Sequence, residues 1–414
     1  MGKTDFNPLN ISAAKPFRLA VVNAFPIQYH APLFRALAQR PEIELTVLYA
    51  SLLGAEEARD YELGIDIKWD IPLLDGYEYK VLKTVGDAKS AADWRFFSFA
   101  VTSELSEKNF DGALIHGWGS WFDRVAIATC MAKKVPYLLT GDSAPIFPES
   151  PIKGALKHIL IGWVVRRASA LLYTGTLQRI FYERFGVQNE RLFPHPLAIE
   201  NDRFFRASEK AIKSVPEIRG EWGIDPDLPV AVLAGKLIER KRPADLIRAI
   251  GVLQESGLEC GAVLIGEGSE RAELEHLTRQ LGLKNVVFTG FVNQVELPRI
   301  LTACDLLVLP SEIEPRGLVI NEAMACGLPV VISHRAADWG PGDIVADGIT
   351  GYVYFAGDTD ALANKCIRPL FEDAALRQKM GIAARQRIET WGIEERLEGV
   401  VRAADYIAGM KTSD

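Results

Sequence analysis

A chain of 414 residues, 48% hydrophobic and 24% charged, has the composition of a globular protein and exceeds what one core supports, so two domains are expected. The formal net charge of −7 argues against an electrostatic nucleic-acid binder and leaves any anion site to a local cluster of cations. Five scattered cysteines (Cys130, Cys260, Cys304, Cys326 and Cys366), with no Cys-x-x-Cys or Cys/His metal spacing, read as reduced core thiols of a cytosolic protein.

The opening MGKTDFNPLNISAAKPF has no apolar run of the signal-peptide kind and reads as a loose leader. No stretch has the uninterrupted apolar length of a spanning helix. From residue 17, β-branched and Leu-rich runs alternate with helical patterns, which implies βαβ units and parallel sheets. FRLAVVNA, ELTVLYA, GALIHGW, VPYLLTG and ASALLYTG read as strands of one doubly wound half, with APLFRALAQR as its first helix. PIKGALKHILIGWVVRRAS (151–169) combines Lys153, Lys157, His158, Arg166 and Arg167 with an apolar face. It reads either as a partly buried domain helix or as one lying on an anionic membrane.

Residues 199 to 228, polar and rich in Pro and Asp, read as a linker with one short helix. A second strand series follows: VAVLAGK, GAVLIGEG, NVVFTGF, DLLVLPS and PVVIS. The expected boundaries are 1–200, 201–385 and a C-terminal helix pair at 386–414 that crosses back to the first domain. Two Rossmann-like halves imply a ligand cleft between them.

The strand DLLVLPS runs into EPRGLVINEAMACGLPVV (314–331), which sets Glu314 and Glu322 eight positions apart. Glu314 falls at the carboxyl end of a strand, where α/β folds bind ligands. A helix opening near Arg316 or Gly317 offers the Gly317, Leu318 and Val319 amides to a phosphate, and Gly327 with Pro329 ends it. Glu322, more than a turn in, is placed to accept hydrogen bonds from sugar or ribose hydroxyls. A solvated pair of acids is the other reading. The small, buried-looking neighbours of Glu322 weigh against it, because an unpaired buried carboxylate is costly.

LAGKLIERKRPADLI (233–247) runs a strand into Gly235 and crowds Lys236, Arg240, Lys241 and Arg242 ahead of a helix. The cluster is either solvated or able to neutralise a diphosphate. GEGSER (266–271) is too short for a dinucleotide fingerprint. His116, at a strand end before Gly117, by itself reads as a structural or surface histidine in preference to a ligand. Asp225/Asp227 and Asp358/Asp360 match a metal-binding Asp-x-Asp, but both lie in polar turns where Asp is expected.

Together these stretches resemble the retaining glycosyltransferases of family 4, over most of the chain. EPRGLVINEAMACGLPVV resembles that family's E-x7-E signature, and LAGKLIERK its G-R-x-x-x-x-K loop, with Lys236 where Arg is commoner and Lys241 at the lysine. Arg316 stands where the family usually has an aromatic residue. The resemblance implies an α/β GT-B fold of two Rossmann-like domains and transfer from a UDP- or GDP-sugar to a hydroxyl of a glycan, glycolipid or other acceptor. It also implies polysaccharide or glycolipid assembly as the setting, with no metal or other cofactor.

By the same resemblance Glu314 contacts the transferred sugar, Glu322 the ribose and Lys236 and Lys241 the diphosphate. Gly235, Arg316, Gly317, Leu318 and Val319 line the donor, and Phe291 and Val292 sit by the base. His116 is drawn to the reacting sugar, and Gln28, Tyr29, His30 and Gly117 to the acceptor side. A GT-B epimerase and a catalytically silent nucleotide-binding subunit share the fold; a phosphorylase would need a pyridoxal lysine motif that is not found. Localisation is expected to be cytoplasmic, with possible peripheral contact at the membrane's inner face through 151–169.

Overall fold

The structure is a computed structural model that describes residues 10–60, 63–85, 97–141, 151–340 and 342–411, with the backbone alone at 58, 151–158 and 411. Its strands, in chain order, are β1 (Phe17–Asn23), β2 (Ile43–Tyr49), β3 (Ala58–Asp60), β4 (Ile65–Ile67), β5 (Tyr79–Val81), β6 (Gly112–His116), β7 (Tyr137–Thr140), β8 (Ala170–Tyr173) and β9 (Leu192–Pro194). They continue with β10 (Val230–Ala234), β11 (Gly261–Ile265), β12 (Val286–Gly290), β13 (Leu306–Leu309), β14 (Val330–Ser333) and β15 (Gly351–Tyr354). The chain divides into two compact units: residues 1–58, 72–196 and 393–414, and residues 59–71 with 197–392.

Unit 1 is built on a seven-stranded sheet of order β5-β2-β1-β6-β7-β8-β9. Along β1, Leu19 and Val21 enter one buried cluster and Ala20 and Val22 the other, so both faces are covered, as a parallel sheet requires. The helix Ile393–Lys411 lies on one of these faces. Its Leu397, Val400, Val401 and Ile407 are buried there, each contributing about 1.5–3 kcal/mol, which returns the end of the chain to unit 1. Gly399 makes the contact possible, because a Cβ there would stand 1.9 Å from the Pro194 carbonyl oxygen.

Unit 2 carries a six-stranded sheet of order β12-β11-β10-β13-β14-β15, with β10 paired in parallel to both β11 and β13. The order reverses between β10 and β13, as it does between β1 and β6 in unit 1. Such switch points open a crevice at the carboxyl ends of the strands.

Three expectations change. Residues 199–228 are not a linker: they form the helices Asn201–Ala211 and Val215–Glu221, whose Phe204 and Ile218 are buried. Arg219 ties them to the segments that enter the central strands β10 and β13, donating to the carbonyls of Ala303, Pro226 and Leu228 and to Asp305 Oδ2. The polar count concealed an amphipathic face. The segment 59–71, expected in the first domain, belongs to unit 2, as do residues 386–392, expected with the terminal helices. In the expected leader, Ile11 is buried and its amide donates to Asp405 Oδ1 at 3.1 Å, while residues 1–9 lie outside the described residues.

Candidate functional site

In unit 2 the loops after β10 and β13 meet at the switch point. Glu314, only 3% exposed, receives a hydrogen bond from Lys241 Nζ at its Oε2, and Ser311 Oγ donates to the same oxygen at 3.3 Å. The main chain fixes this acid as well, since Ala337 N donates to Glu314 O at 2.9 Å. Lys236 Nζ contacts both oxygens of Asp60, at 3.1 and 3.0 Å. Arg242, at φ 51°, precedes the helix Pro243–Glu255 and donates from Nε to Asp245 Oδ2 at 2.7 Å. Lys236, Lys241 and Arg242 of the basic loop are therefore held by carboxylates, while Arg240 is exposed.

Gly235 (φ 150°) and Gly266 (φ 133°) let two loops stack backbone on backbone, because a Cβ on Gly266 would lie 1.9 Å from the Gly235 carbonyl oxygen. This is the structural use of the short G-x-G sequence.

The helix Leu318–Ala325 opens after Gly317 and stops at Gly327, which takes φ 81°. Gly317 serves packing more than ligand approach: a Cβ there would sit 2.7 Å from Leu309 Cδ2. Its amide is already taken by Asp338 Oδ2 at 2.9 Å, which leaves Leu318 and Val319 as the first-turn donors. Arg316 is likewise engaged, donating from Nη1 to Ala337 O at 2.8 Å and to Asp338 Oδ1 at 3.4 Å, and it is buried in that contact. Burial pushes the Asp338 carboxyl up to about 6, with Arg316 opposing the shift.

Glu322 is also buried, but among weaker partners. Gln294 Nε2 donates to its Oε1 at 3.1 Å, and Arg203 bonds Gln294 at both the main-chain and the side-chain oxygen. Burial pushes the Glu322 carboxyl up to about 7, against the hydrogen bond from Gln294 and the charge of Arg203. Phe291 and Val292, both half-buried, precede Gln294 in the same loop.

In unit 1 the expected residues gather at the other switch point. His116 ends β6, and Gly117, at φ 94°, turns the chain away. His30 packs against His116 with ring centroids 4.3 Å apart and the rings tilted by 36°, and Tyr29 packs edge-on to His30 at 4.6 Å. Gln28 is half-buried in the same turn. Asn23 Nδ2 lies 3.1 Å from His30 Nδ1. Behind them Arg396, 1% exposed, donates to His195 Nε2 at 3.1 Å and to the Tyr29 carbonyl, while His195 Nδ1 donates to Arg396 O at 3.0 Å. Neither His116 ring nitrogen reaches a partner at hydrogen-bond geometry; the Val22 main chain gives it only a weak polar contact. Burial and then the Arg396 charge lower His116 to about 3, and burial first and neighbouring charges next hold His30 and His195 well below the usual imidazole value.

Residues 214–387 match the family model described as glycosyl transferases group 1. The chain carries a group 1 glycosyl transferase domain. That domain holds every residue of the Lys241–Glu314 and Gln294–Glu322 contacts. The alpha-D-kanosaminyltransferase of Streptomyces kanamyceticus is 32% identical over 219 residues, covering 52% of this chain and 54% of that one. The D-inositol 3-phosphate glycosyltransferase of Streptomyces avermitilis is 34% identical over 208 residues, 48% of this chain and 43% of that one. The chain spans about half the length of the curated relatives it matches, at 54%, 45% and 52% of the first three. Among solved structures, HepE of Anabaena in complex with UDP and glucose superimposes at TM-score 0.68 and 17% identity, covering 96% of this chain and 100% of HepE. The fold is accordingly GT-B, with the group 1 domain as its second Rossmann-like half.

Within the group 1 domain, neither Asp-x-Asp is arranged as a cation site. Asp225 Oδ1 accepts from the Asp227 amide at 2.9 Å in a turn, and Asp358 caps a helix through the Ala361 amide. Among the described residues no cluster of three or more His, Cys, Asp or Glu is placed to hold a metal ion, and no helix is long and apolar enough to cross a membrane. A groove of about 940 Å³ lined by Arg248, Gln254, Glu259 and Lys284 shares none of the acids or lysines above. Sequence reasoning missed Asp60, Arg203, Gln294, Asp338, His195 and Arg396. None of them stands in a motif, and each acts through a contact distant along the chain or through an ordinary loop.

Proposed function

We propose that the chain is a retaining glycosyltransferase that moves a sugar from a UDP- or GDP-sugar to a hydroxyl of a glycan, a glycolipid or another acceptor. The observation that carries this reading is the buried Lys241–Glu314 contact at the switch point of the group 1 domain. The HepE complex with UDP and glucose supports a nucleotide-sugar donor.

Negative charge grows on the departing diphosphate as the sugar–phosphate C–O bond breaks. An ammonium about 4 Å from that charge is worth about 4 kcal/mol at an effective dielectric near 20 and about 1 kcal/mol in water, so the partly buried Lys236 and Lys241 stabilise the leaving group far better than exposed lysines would. The Leu318 and Val319 amides add first-turn donors. Glu314, held by Lys241, Ser311 and the Ala337 amide, orients the sugar. Glu322, in its ionised form, accepts from the ribose hydroxyls. Arg316, spent on Asp338, acts by holding the Gly317 turn.

No residue is assigned as a covalent nucleophile. The acceptor oxygen attacks from the face the diphosphate leaves, and its proton passes to the departing phosphate oxygen. Gln28, Tyr29, His30 and Gly117 are assigned to the acceptor side, with His116 as a neutral hydrogen-bonding group. The lysines supply the positive charge, so the reading calls for no metal cofactor.

We place the protein in the cytoplasm, in peripheral contact with an anionic membrane. Ile159, Leu160 and Trp163 are 63%, 59% and 45% exposed on the helix Pro151–Arg167, beside the exposed Arg166 and Arg167. The side chains of Lys153, Lys157 and His158 lie outside the described residues.

The test is a thermal-shift panel of UDP, GDP and ADP and their sugars on the wild type and Lys241→Ala, followed by anomeric analysis of any product. A ligand at a hundred times its Kd adds roughly 2.7 kcal/mol of stability. One nucleotide should stabilise the wild type and not the variant, and its sugar should be transferred with retention. Stabilisation without transfer makes the chain a silent nucleotide-binding subunit, epimerised sugar makes it an epimerase, and no stabilisation by any nucleotide overturns the reading.

A further inference from the structure

Residues 59–71 interrupt unit 1 in sequence and belong to unit 2, and the described ones, 59–60 and 63–71, are fixed to it at two places and are called the strap. At one end, Asp60 bridges Lys236 through both carboxylate oxygens, with each side chain 29% exposed. The other end is tied to the loop 291–295 by four contacts. Asn293 Nδ2 donates to Lys68 O at 2.7 Å, Asp70 N donates to Asn293 Oδ1 at 3.4 Å, and the Val295 amide donates to both Asp70 oxygens at 3.2 and 3.1 Å. Trp69 packs edge-on to Phe291, with centroids 6.1 Å apart. This loop also carries Gln294, the partner of Glu322. The strap thus touches the group 1 domain at the residue assigned to the diphosphate and again beside those assigned to base and ribose.

Resting on the donor reading above, we propose that Asp60 is an anionic placeholder on Lys236. Its carboxylate occupies the position that the diphosphate of the nucleotide takes, and donor binding exchanges one anion for the other. The Trp69–Asp70 end stays on the loop 291–295 throughout. The chemistry suits the exchange. A lysine ammonium is a compact charge on a flexible stem that can rotate from one acceptor to the next, whereas a guanidinium fork locked on a carboxylate could not turn as readily. A carboxylate left within hydrogen-bond reach of Lys236 would repel the incoming phosphates, so Asp60 sets a threshold. A diphosphate, with more charge than one carboxylate, displaces it, and weak anions do not. The anchored end explains why Asp60 is returned to Lys236 when the site empties.

Calorimetric titration of UDP and of GDP into the full chain tests this in four forms: wild type, Asp60→Asn, Lys236→Met and the double variant. An ion pair this exposed is worth little, so Asp60→Asn should bind the nucleotide roughly two- to fivefold more tightly than the wild type. Lys236→Met should bind more weakly, and the gain from Asp60→Asn should shrink in the Lys236→Met background, where no ion pair has to be broken. Asp60→Ser repeats the measurement should the asparagine variant fold poorly. Unchanged or weaker binding in Asp60→Asn, with the wild type binding normally, overturns the placeholder and leaves the donor reading standing. Binding of neither nucleotide to any of the four forms removes the donor reading, and the placeholder with it.

Discussion

The two switch points treat charge in opposite ways. In unit 2 the cations Lys236, Lys241 and Arg242 each meet a carboxylate, and the acids sit where strands β10 and β13 end. In unit 1 one buried guanidinium, Arg396, lies among His30, His116 and His195, all held neutral. On the proposed function the first takes up and releases an anion and keeps exchangeable ion pairs, and the second recognises uncharged hydroxyls with rings that stay neutral in the folded protein.

The sharpest way to break this comparison is Glu314→Gln. It preserves shape, removes the charge that Lys241 holds, and should lower transfer by about a hundredfold or more, while nucleotide binding changes less than tenfold. Equal losses in turnover and in nucleotide affinity would assign Glu314 to nucleotide binding instead.

Next in size is Arg396→Ala in unit 1. It strands the acceptor nitrogen of His195 and the Tyr29 carbonyl and empties a fully buried volume, at a cost of about 3 kcal/mol or more in a denaturant melt. A loss under about 1 kcal/mol would mean that the histidines support one another without it.

The smallest effect is a pH signature. The Glu322 carboxyl is raised from 4.5 to about 7, so between those values the folded protein holds a proton that the unfolded chain has released. Stability from this group is full below about pH 4.5, falls as pH rises to about 7 and is flat above. Glu322→Gln cannot ionise. Its melting temperature relative to wild type should therefore climb across that window and then level off. That of His116→Asn should instead fall from pH 5 to about 6.5, where the unfolded imidazole takes up a proton that the folded one does not, and then level off. A constant offset for Glu322→Gln would mean that the acid is ionised throughout.

Much of unit 2 was legible because its signals are local. DLLVLPS and VAVLAGK are short apolar runs with polar ends, and Glu314 and Glu322 share one strand–helix turn. Gln28, Tyr29, His30 and His116 lie close to the ends of β1 and β6, where a doubly wound sheet presents its loops. The roles of Gly317 and Arg316 were not legible, because Asp338, about twenty residues on, takes the amide and the guanidinium. The burial of Arg396 against His195 joins residues 201 positions apart, and the strap depends on Asn293 meeting Lys68 and Asp70. No periodicity reports such contacts. The helices at 201–221 were misread for a different reason: composition averaged away the buried face of Phe204 and Ile218.

The return of Ile393–Lys411 to unit 1 has a consequence for biosynthesis. On the ribosome the first half leaves the exit tunnel with one sheet face covered only in part, by the helix Ala31–Ala38. At about 5–20 residues per second, the 197 positions from Pro196 to Ile393 take roughly 10–40 s to translate, and the closing helix cannot dock before they are made. The half that is made first is thus completed only after the second has been translated, and during that interval the uncovered part of its sheet face is exposed to misassociation.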